Sequence, residues 1–218
     1  MFSQAEENYI KAIYALDTKA NKGVSTNLIA EKMNTKASSV TDMLQKLADK
    51  RLVVYKKYQG AQLSIKGKKI ATSVVRKHRL WETFLVNKLN FSWDEVHDIA
   101  EQLEHVKSET LIDKLDEFLD YPRVDPHGDP IPDKNGELLS IEKIVLATLK
   151  VNESGICVGV IDSSSDFLQF LDKQNIALGQ KITVISKESF DDSITIKVGN
   201  RELSISQKIA HNLFIKTA

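Results

Sequence analysis

Cysteine is nearly absent: Cys157, in the stretch GICVGVI, is the single one in 218 residues. One cysteine forms no internal disulfide, so the fold must rest on its cores, and such usage fits a reducing compartment. We read Cys157 as a small buried hydrophobe in a strand rather than a reactive thiol. Long apolar runs are missing too. Nothing approaches the roughly 18 residues that span a bilayer, and MFSQAEENYI shows no basic-then-apolar signal pattern. The expectation is a cytoplasmic protein with no membrane partner. Proline is scarce, and all four prolines lie in YPRVDPHGDPIPDKNGE, residues 121–137, a segment that no regular helix can cross. There is no internal repeat, no glycine loop that would cradle a phosphate and no nucleophile arrangement, so the expectation is a protein that is not an enzyme.

Net charge is absent as well, with 30 Lys or Arg against 30 Asp or Glu. Taken alone, that argues against nucleic acid, but the distribution argues for it. Residues 36–79 hold twelve Lys or Arg against Asp42 and Asp49, whereas residues 94–120 hold ten acids against Lys107 and Lys114. A basic part suits phosphate and an acidic part suits cations or partners. With 42% hydrophobic content the chain can bury real cores, and its length suits two or three small domains.

The proline-rich segment divides two kinds of pattern. Before it, AEENYIKAIYAL, STNLIAEKM, SSVTDMLQKLADKRL, KGKKIATSVVRKHRLWETFLVNKL and SWDEVHDIAEQLEHVKSETLIDKLDEFLD space apolar residues at i, i+3 and i+4, as helices do. Beyond about residue 150 short β-rich runs take over: GICVGVID, KITVISKE and SITIKVGNRELSIS, with Gly199-Asn200 as a hairpin turn. DFLQFLDKQN, residues 166–175, reads as a short helix between strands. The pattern expected is mainly α before that segment and a small all-β barrel of about five strands after it. We place the domains at 1–72, 73–140 and 150–218.

VSTNLIAEKMNTKASSVTDMLQKLADKRLV has helix-turn-helix spacing, with the turn near Asn34 and Thr35. Ser25 is placed to cap the first helix, with Leu28, Ile29 and Met33 inward; Val40, Leu44 and Leu47 form the buried side of the second. Lys36, Ser38, Ser39, Thr41, Asp42 and Gln45 are left near the exposed start of that second helix, where a recognition helix offers side chains to the major groove. LVVYKKYQGAQLSIKGKK follows as two strands with a tight turn at Gln59-Gly60 and a helix capped by Ser64. That is a wing, and Lys56, Lys57 and the Lys66, Lys68, Lys69 cluster sit where a wing meets phosphates. A winged helix used only for protein contacts is the alternative.

HDIAEQLEH, residues 97–105, raises a different chemistry. At about 100° per residue, His97, Glu101, Glu104 and His105 fall within one arc, opposite Val96, Ile99, Leu103 and Val106. An ordinary solvated face accounts for them; so does a divalent cation held by imidazole nitrogen and carboxylate oxygen. His78 and Glu82 repeat the combination at i, i+4 in RKHRLWE.

The order of these parts, a winged helix, then RKHRLWETFLVNKL, EVHDIAEQLEHV, DPHGDPIP and a small β-barrel, resembles the diphtheria toxin repressor family of metal-dependent repressors over essentially the whole chain. The resemblance implies a first metal site from Asn8, Glu101, Glu104 and His105. It implies a second from His78, Glu82 and His97, with Asp125 and His127 of the junction and Asp166 of the barrel, which is SH3-like in that family. Iron-responsive members carry methionine and cysteine where Asn8 and Glu101 stand; oxygen at both positions suits Mn(II), with Fe(II) the alternative and Zn(II) or other divalent ions substituting in vitro. Two positions depart from the manganese pattern. Asn8 replaces an aspartate, and Lys11 stands where shorter, two-domain members have a metal-binding glutamate, which disfavours a tight binuclear cluster and matches the three-domain type. The fold class implied is a mainly α N-terminal winged helix-turn-helix plus a helical dimerisation and metal-binding domain, followed by the SH3-like barrel, and the function implied is a metal-dependent transcriptional repressor of metal-uptake genes, a homodimer joined through its middle helices on a pseudo-palindromic operator in double-stranded DNA. The rivals are a metal-dependent hydrolase, which needs an open coordination position and an activated water, and a metal-independent DNA-binding or adaptor protein.

Overall fold

Ser3 starts the first helix by accepting a hydrogen bond from the Glu6 amide at 3.3 Å, while Glu6 accepts from the Ser3 amide at 3.1 Å. This reciprocal box satisfies two amides that have no partner inside the helix. In the computed structural model, which describes residues 2–17, 23–56 and 59–217, helix α1 runs Gln4–Leu16 and buries Tyr9, Ile10, Ala12 and Ile13. Helix α2, Thr26–Lys32, opens on Ser25, whose hydroxyl accepts from the Leu28 amide at 3.3 Å. Asn34, at φ 47°, turns the chain into α3, Ala37–Asp49. Val40, Leu44 and Leu47 are fully buried, each adding about 1.5–3 kcal/mol of hydrophobic stabilisation. Leu28, expected inward, is instead 49% exposed. A seven-residue helix turns few positions inward, and Ile29 and Ala30 take them.

Strands β1, Val53–Lys56, and β2, Gly60–Leu63, pair antiparallel as the wing, with Val53 opposite Leu63. Gly60 lies at φ 90°, and a Cβ there would stand 2.5 Å from the Val24 carbonyl oxygen. Only glycine allows that approach, by which the wing bonds to the chain just before α2 through Val24 and Ala61. Ser64 then caps helix α4, Ile65–Leu89, accepting from the Gly67 amide at 3.0 Å. Side chains of α1, α2, α3, the wing and the start of α4 share one core.

The helical pattern of residues 92–120 is not one helix. Helix α5 is Val96–Leu103 and helix α6 is Glu109–Phe118. Between them the chain leaves helical geometry, and the Ser108 hydroxyl accepts from the Leu111 amide at 3.2 Å, starting α6 afresh. Glu104 and His105 follow Leu103, the last residue of α5, with the Glu104 amide still bonded to the Ala100 carbonyl at 2.8 Å.

The chain divides into two compact units. The first comprises residues 1–81, 100–114 and 132–138; the second comprises 82–99, 115–131 and 139–218. In the second, six antiparallel strands lie in the order β3-β8-β4-β5-β6-β7, one more than the five expected. They are β3 Ile144–Val145, β4 Ser154–Val160, β5 Lys181–Lys187, β6 Ile194–Val198, β7 Arg201–Ile205 and β8 Leu213–Lys216. Two of them, β3 of two residues and β8, lie outside the runs picked out in the sequence. Helix α7, Ser165–Lys173, connects β4 to β5, and α8, Gln207–His211, precedes β8. Val198 pairs with Arg201, so Gly199 and Asn200 form a two-residue turn, with Gly199 at φ 60° as such turns require. Cys157 is 1% exposed within this core, and burial raises its thiol pKa to about 11, which leaves it an inert hydrophobe.

Candidate metal centre

Each unit gathers its own set of nitrogen and oxygen donors. In the first unit, α1 supplies Glu7, Asn8 and Lys11, α4 supplies His78, α5 supplies Glu101, and the turn after α5 supplies Glu104 and His105. Glu104 is 1% exposed. Its Oε2 takes hydrogen bonds from Lys11 Nζ and from His78 Nδ1, both at 2.6 Å. Burial, the largest influence, pushes the Glu104 carboxyl up, but the His78 hydrogen bond and the Lys11 charge and hydrogen bond together hold it below its ordinary value. Lys11 Nζ also lies 3.2 Å from His78 Nδ1 and 3.7 Å from Glu101 Oε1.

His105 completes this set. Its Nδ1 lies 2.6 Å from Glu7 Oε2, so Nδ1–H donates to that carboxylate and the lone pair remains on Nε2. Nε2 is 3.8 Å from Glu104 Oε1. That gap is too long for a hydrogen bond, yet shorter than two metal–ligand distances of about 2.0–2.2 Å each. On α1, between Glu7 and Lys11, the buried Asn8 Oδ1 has no hydrogen-bond partner among the described residues. A buried acceptor without a donor is costly, and a cation relieves it. The donors are therefore suited to a divalent ion, with Glu7 fixing the tautomer of His105, as carboxylates do behind metal-binding imidazoles. Sequence reasoning missed Glu7; its place beside Asn8 on α1 was the available signal.

The second unit brings Glu82, Asp125 and His127 together, buried, with one donor atom of each within 4.8 Å of the others. His127 Nε2 lies 2.8 Å from the Trp93 carbonyl oxygen, to which it donates. Its Nδ1 lone pair then faces Glu82 Oε2 at 3.8 Å and Asp125 Oδ1 at 4.0 Å. The Trp93 indole lies parallel to the imidazole, 6.2 Å between centroids. Asp125 Oδ1 also accepts from the His127 and Asp129 amides, closing a tight loop. Gly128 follows at φ 85°, and a Cβ there would stand 2.0 Å from the Val158 carbonyl oxygen. Through this approach the Val160 amide bonds to the His127 carbonyl, beside the bulge at Cys157 and Gly159 in β4. His97, about half exposed, stands at the rim, with Nδ1 3.4 Å from Glu82 Oε1.

His97 stands by Glu82, while Glu104 and His105, after α5, meet α1 and His78. One donor atom each of His78, Glu82 and His97 lies within 4.8 Å of the others, and His78 Nδ1 also bonds to Glu104. One expectation needs correction. Asp166 belongs to neither donor set; it is exposed in the first turn of α7, where a helix N-terminus favours an aspartate. Asp94 meets that helix instead, accepting from Ser165 and Gln169 at 3.0 and 2.8 Å.

Of the residues expected to meet DNA, Lys36, Ser38, Ser39, Thr41, Asp42 and Gln45 are all exposed at the start of α3, and Ser25 and Lys56 are exposed as well. Lys57 lies outside the described residues.

Three family models match. Residues 1–61 match "Iron dependent repressor, N-terminal DNA binding domain", residues 64–133 match "Iron dependent repressor, metal binding and dimerisation domain", and residues 144–217 match "FeoA domain". The HTH-type transcriptional regulator MntR of Geobacillus thermodenitrificans is 40% identical over 116 residues, 53% of this chain and 80% of that one. The chain belongs to the diphtheria toxin repressor family. Diphtheria toxin repressor of Corynebacterium jeikeium is 31% identical over 126 residues, 58% of this chain and 52% of that one, so the match spans about half the length of such curated relatives. Among solved structures, a manganese-dependent transcriptional repressor in complex with manganese is 30% identical with a TM-score of 0.86, covering 98% of this chain and 100% of that one. The similarity thus extends through all three parts of this family member, the small β-barrel included. No helix among the described residues is long and apolar enough to cross a membrane.

Proposed function

We propose that this chain is a Mn(II)-activated transcriptional repressor that binds a pseudo-palindromic operator as a homodimer and controls metal-uptake genes. The observation that carries the reading is the pair formed by His105 Nε2 and Glu104 Oε1, 3.8 Å apart, with the partnerless Asn8 Oδ1 on α1. Asn8, Glu104 and His105, with Glu101 beside them, would hold a divalent ion, and in doing so would tie α1 to the turn after α5. Glu7 holds the imidazole in the tautomer that presents Nε2. Tyr9, Ile10 and Ile13 of α1 share a core with Val40, Leu44 and Leu47 of α3, so fixing α1 fixes the helix that reads DNA and biases an ensemble towards the competent geometry. We assign His78, Glu82, His97, Asp125 and His127 to a second ion, with the two clusters these residues form in support.

Carboxylate and amide oxygens suit Mn(II) better than thiolate or thioether would, and neither donor set contains those softer ligands. The likeness to a repressor solved with manganese supports the same ion. Ser25, Lys36, Ser38, Ser39, Thr41, Asp42, Gln45, Lys56 and Lys57 are assigned to DNA, and domain limits of 1–72, 73–140 and 150–218 are proposed, with the three matched segments in support. Fluorescence anisotropy of an operator duplex tests the reading: the wild type should bind with Mn(II) and release on chelation, and Glu104→Ala should lose the metal-dependent part. Equal binding by both proteins under chelator would refute it.

A further inference from the structure

Lys11 is the least expected member of the first donor set, because it brings a charge of the same sign as the ion. Its side chain is 19% exposed, and its ammonium meets Glu104 Oε2 at 2.6 Å, His78 Nδ1 at 3.2 Å and Glu101 Oε1 at 3.7 Å. Since His78 Nδ1–H already donates to Glu104, that nitrogen offers no lone pair to the lysine, so the ammonium serves the two carboxylates. The two oxygens of Glu104 are thereby divided: Oε2 faces Lys11 and His78, and Oε1 faces His105 Nε2.

We infer that Lys11 is a built-in cation of this set, which neutralises Glu101 and Glu104 in the metal-free chain, reserves Glu104 Oε2, and so limits the set to a single divalent ion. The charge balance supports it. A carboxylate that is 1% exposed is costly without a cation, and a tethered ammonium is always present, whatever the metal supply. An ion entering beside His105 then meets a Glu104 already oriented, with Oε1 presented and Oε2 taken. A second ion near Oε2 would have to share that oxygen with a positive charge at hydrogen-bond distance.

The experiment has two readouts. In the metal-free protein, Lys11→Met should lower the Tm by about 5 °C, on the scale of about 2–4 °C per kcal/mol for a chain of this size, and the loss should disappear in a Glu104→Gln background, because the two residues act as a pair. In Mn(II) titrations followed by calorimetry and by EPR of free Mn(II), Lys11→Glu should bind one more ion per chain than the wild type. An unchanged metal-free Tm for Lys11→Met, or a loss that persists undiminished with Glu104→Gln, would overturn the neutralising role; an unchanged count for Lys11→Glu would overturn the limit to one ion. The ion count rests on the proposed Mn(II) function, whereas the Tm comparison does not. A wild type that binds no Mn(II) but shows the Lys11–Glu104 coupling would refute the function and leave the built-in cation standing.

Discussion

Replacing Glu7 should weaken Mn(II) binding although Glu7 is not assigned as a ligand. Its carboxylate accepts from His105 Nδ1 at 2.6 Å, and the two side chains are 13% and 7% exposed. The contact does two things: it puts the proton on Nδ1, leaving Nε2 to face Glu104, and it makes the imidazole a stronger donor by placing a negative charge behind it. Glu7→Gln keeps an oxygen acceptor but removes the charge, and a charge-assisted hydrogen bond is about twice as strong as a neutral one. Glu7→Ala removes both and frees the ring to turn. Loss of a carboxylate behind a metal-binding histidine costs about 10–100-fold in metal affinity, so Glu7→Gln should fall near the lower end and Glu7→Ala near the upper. That range is about 1.4–2.7 kcal/mol, at about 1.4 kcal/mol per tenfold. Competition calorimetry against a chelator of known strength reads it directly. Equal Mn(II) affinity for wild type, Glu7→Gln and Glu7→Ala would refute the tautomer argument and remove His105 Nε2 from the donor set.

Gly128→Ala should destabilise the chain by about 1–3 kcal/mol through strain at positive φ, with further loss from the 2.0 Å approach to Val158, seen as a lower Tm. The Glu6 carboxyl, held below its ordinary value of 4.5 chiefly by the Lys50 hydrogen bond, stabilises the fold above that value and loses the contribution as pH falls through its lower folded value. Urea midpoints of the wild type should therefore drop over that acidic window more steeply than those of Glu6→Gln. On DNA, Gln45→Ala should relax preference at one base position, by about 1–3 kcal/mol if the contact is bidentate, whereas Lys56→Ala should weaken all sequences alike and lower the salt slope by about one.

Patterns that depend on local spacing were the legible part. Val40, Leu44 and Leu47 repeat at helical intervals and are buried as that repeat requires, and Gly199-Asn200 marks its hairpin because few other residues adopt that turn. Leu28 was misread because an apolar residue on a short helix has no guaranteed partner. The break between α5 and α6 was not legible in residues 92–120, because apolar helical spacing runs on through both helices, whereas Ser108 starts the second afresh. Lys11 could be seen to be out of pattern, but its bond to a carboxylate 93 positions away is set by tertiary packing that no local spacing records. The same holds for Glu7 and His105, 98 positions apart.

Selection of duplexes from random DNA by the metal-stripped protein, run in parallel with Mn(II), anaerobic Fe(II), Zn(II) and chelator, tests the central claim most directly. A palindromic duplex should emerge with Mn(II) and disappear with chelator. The same duplex selected equally well under chelator would contradict it, showing that the donors around Glu104 and His105 do not govern the reading of DNA.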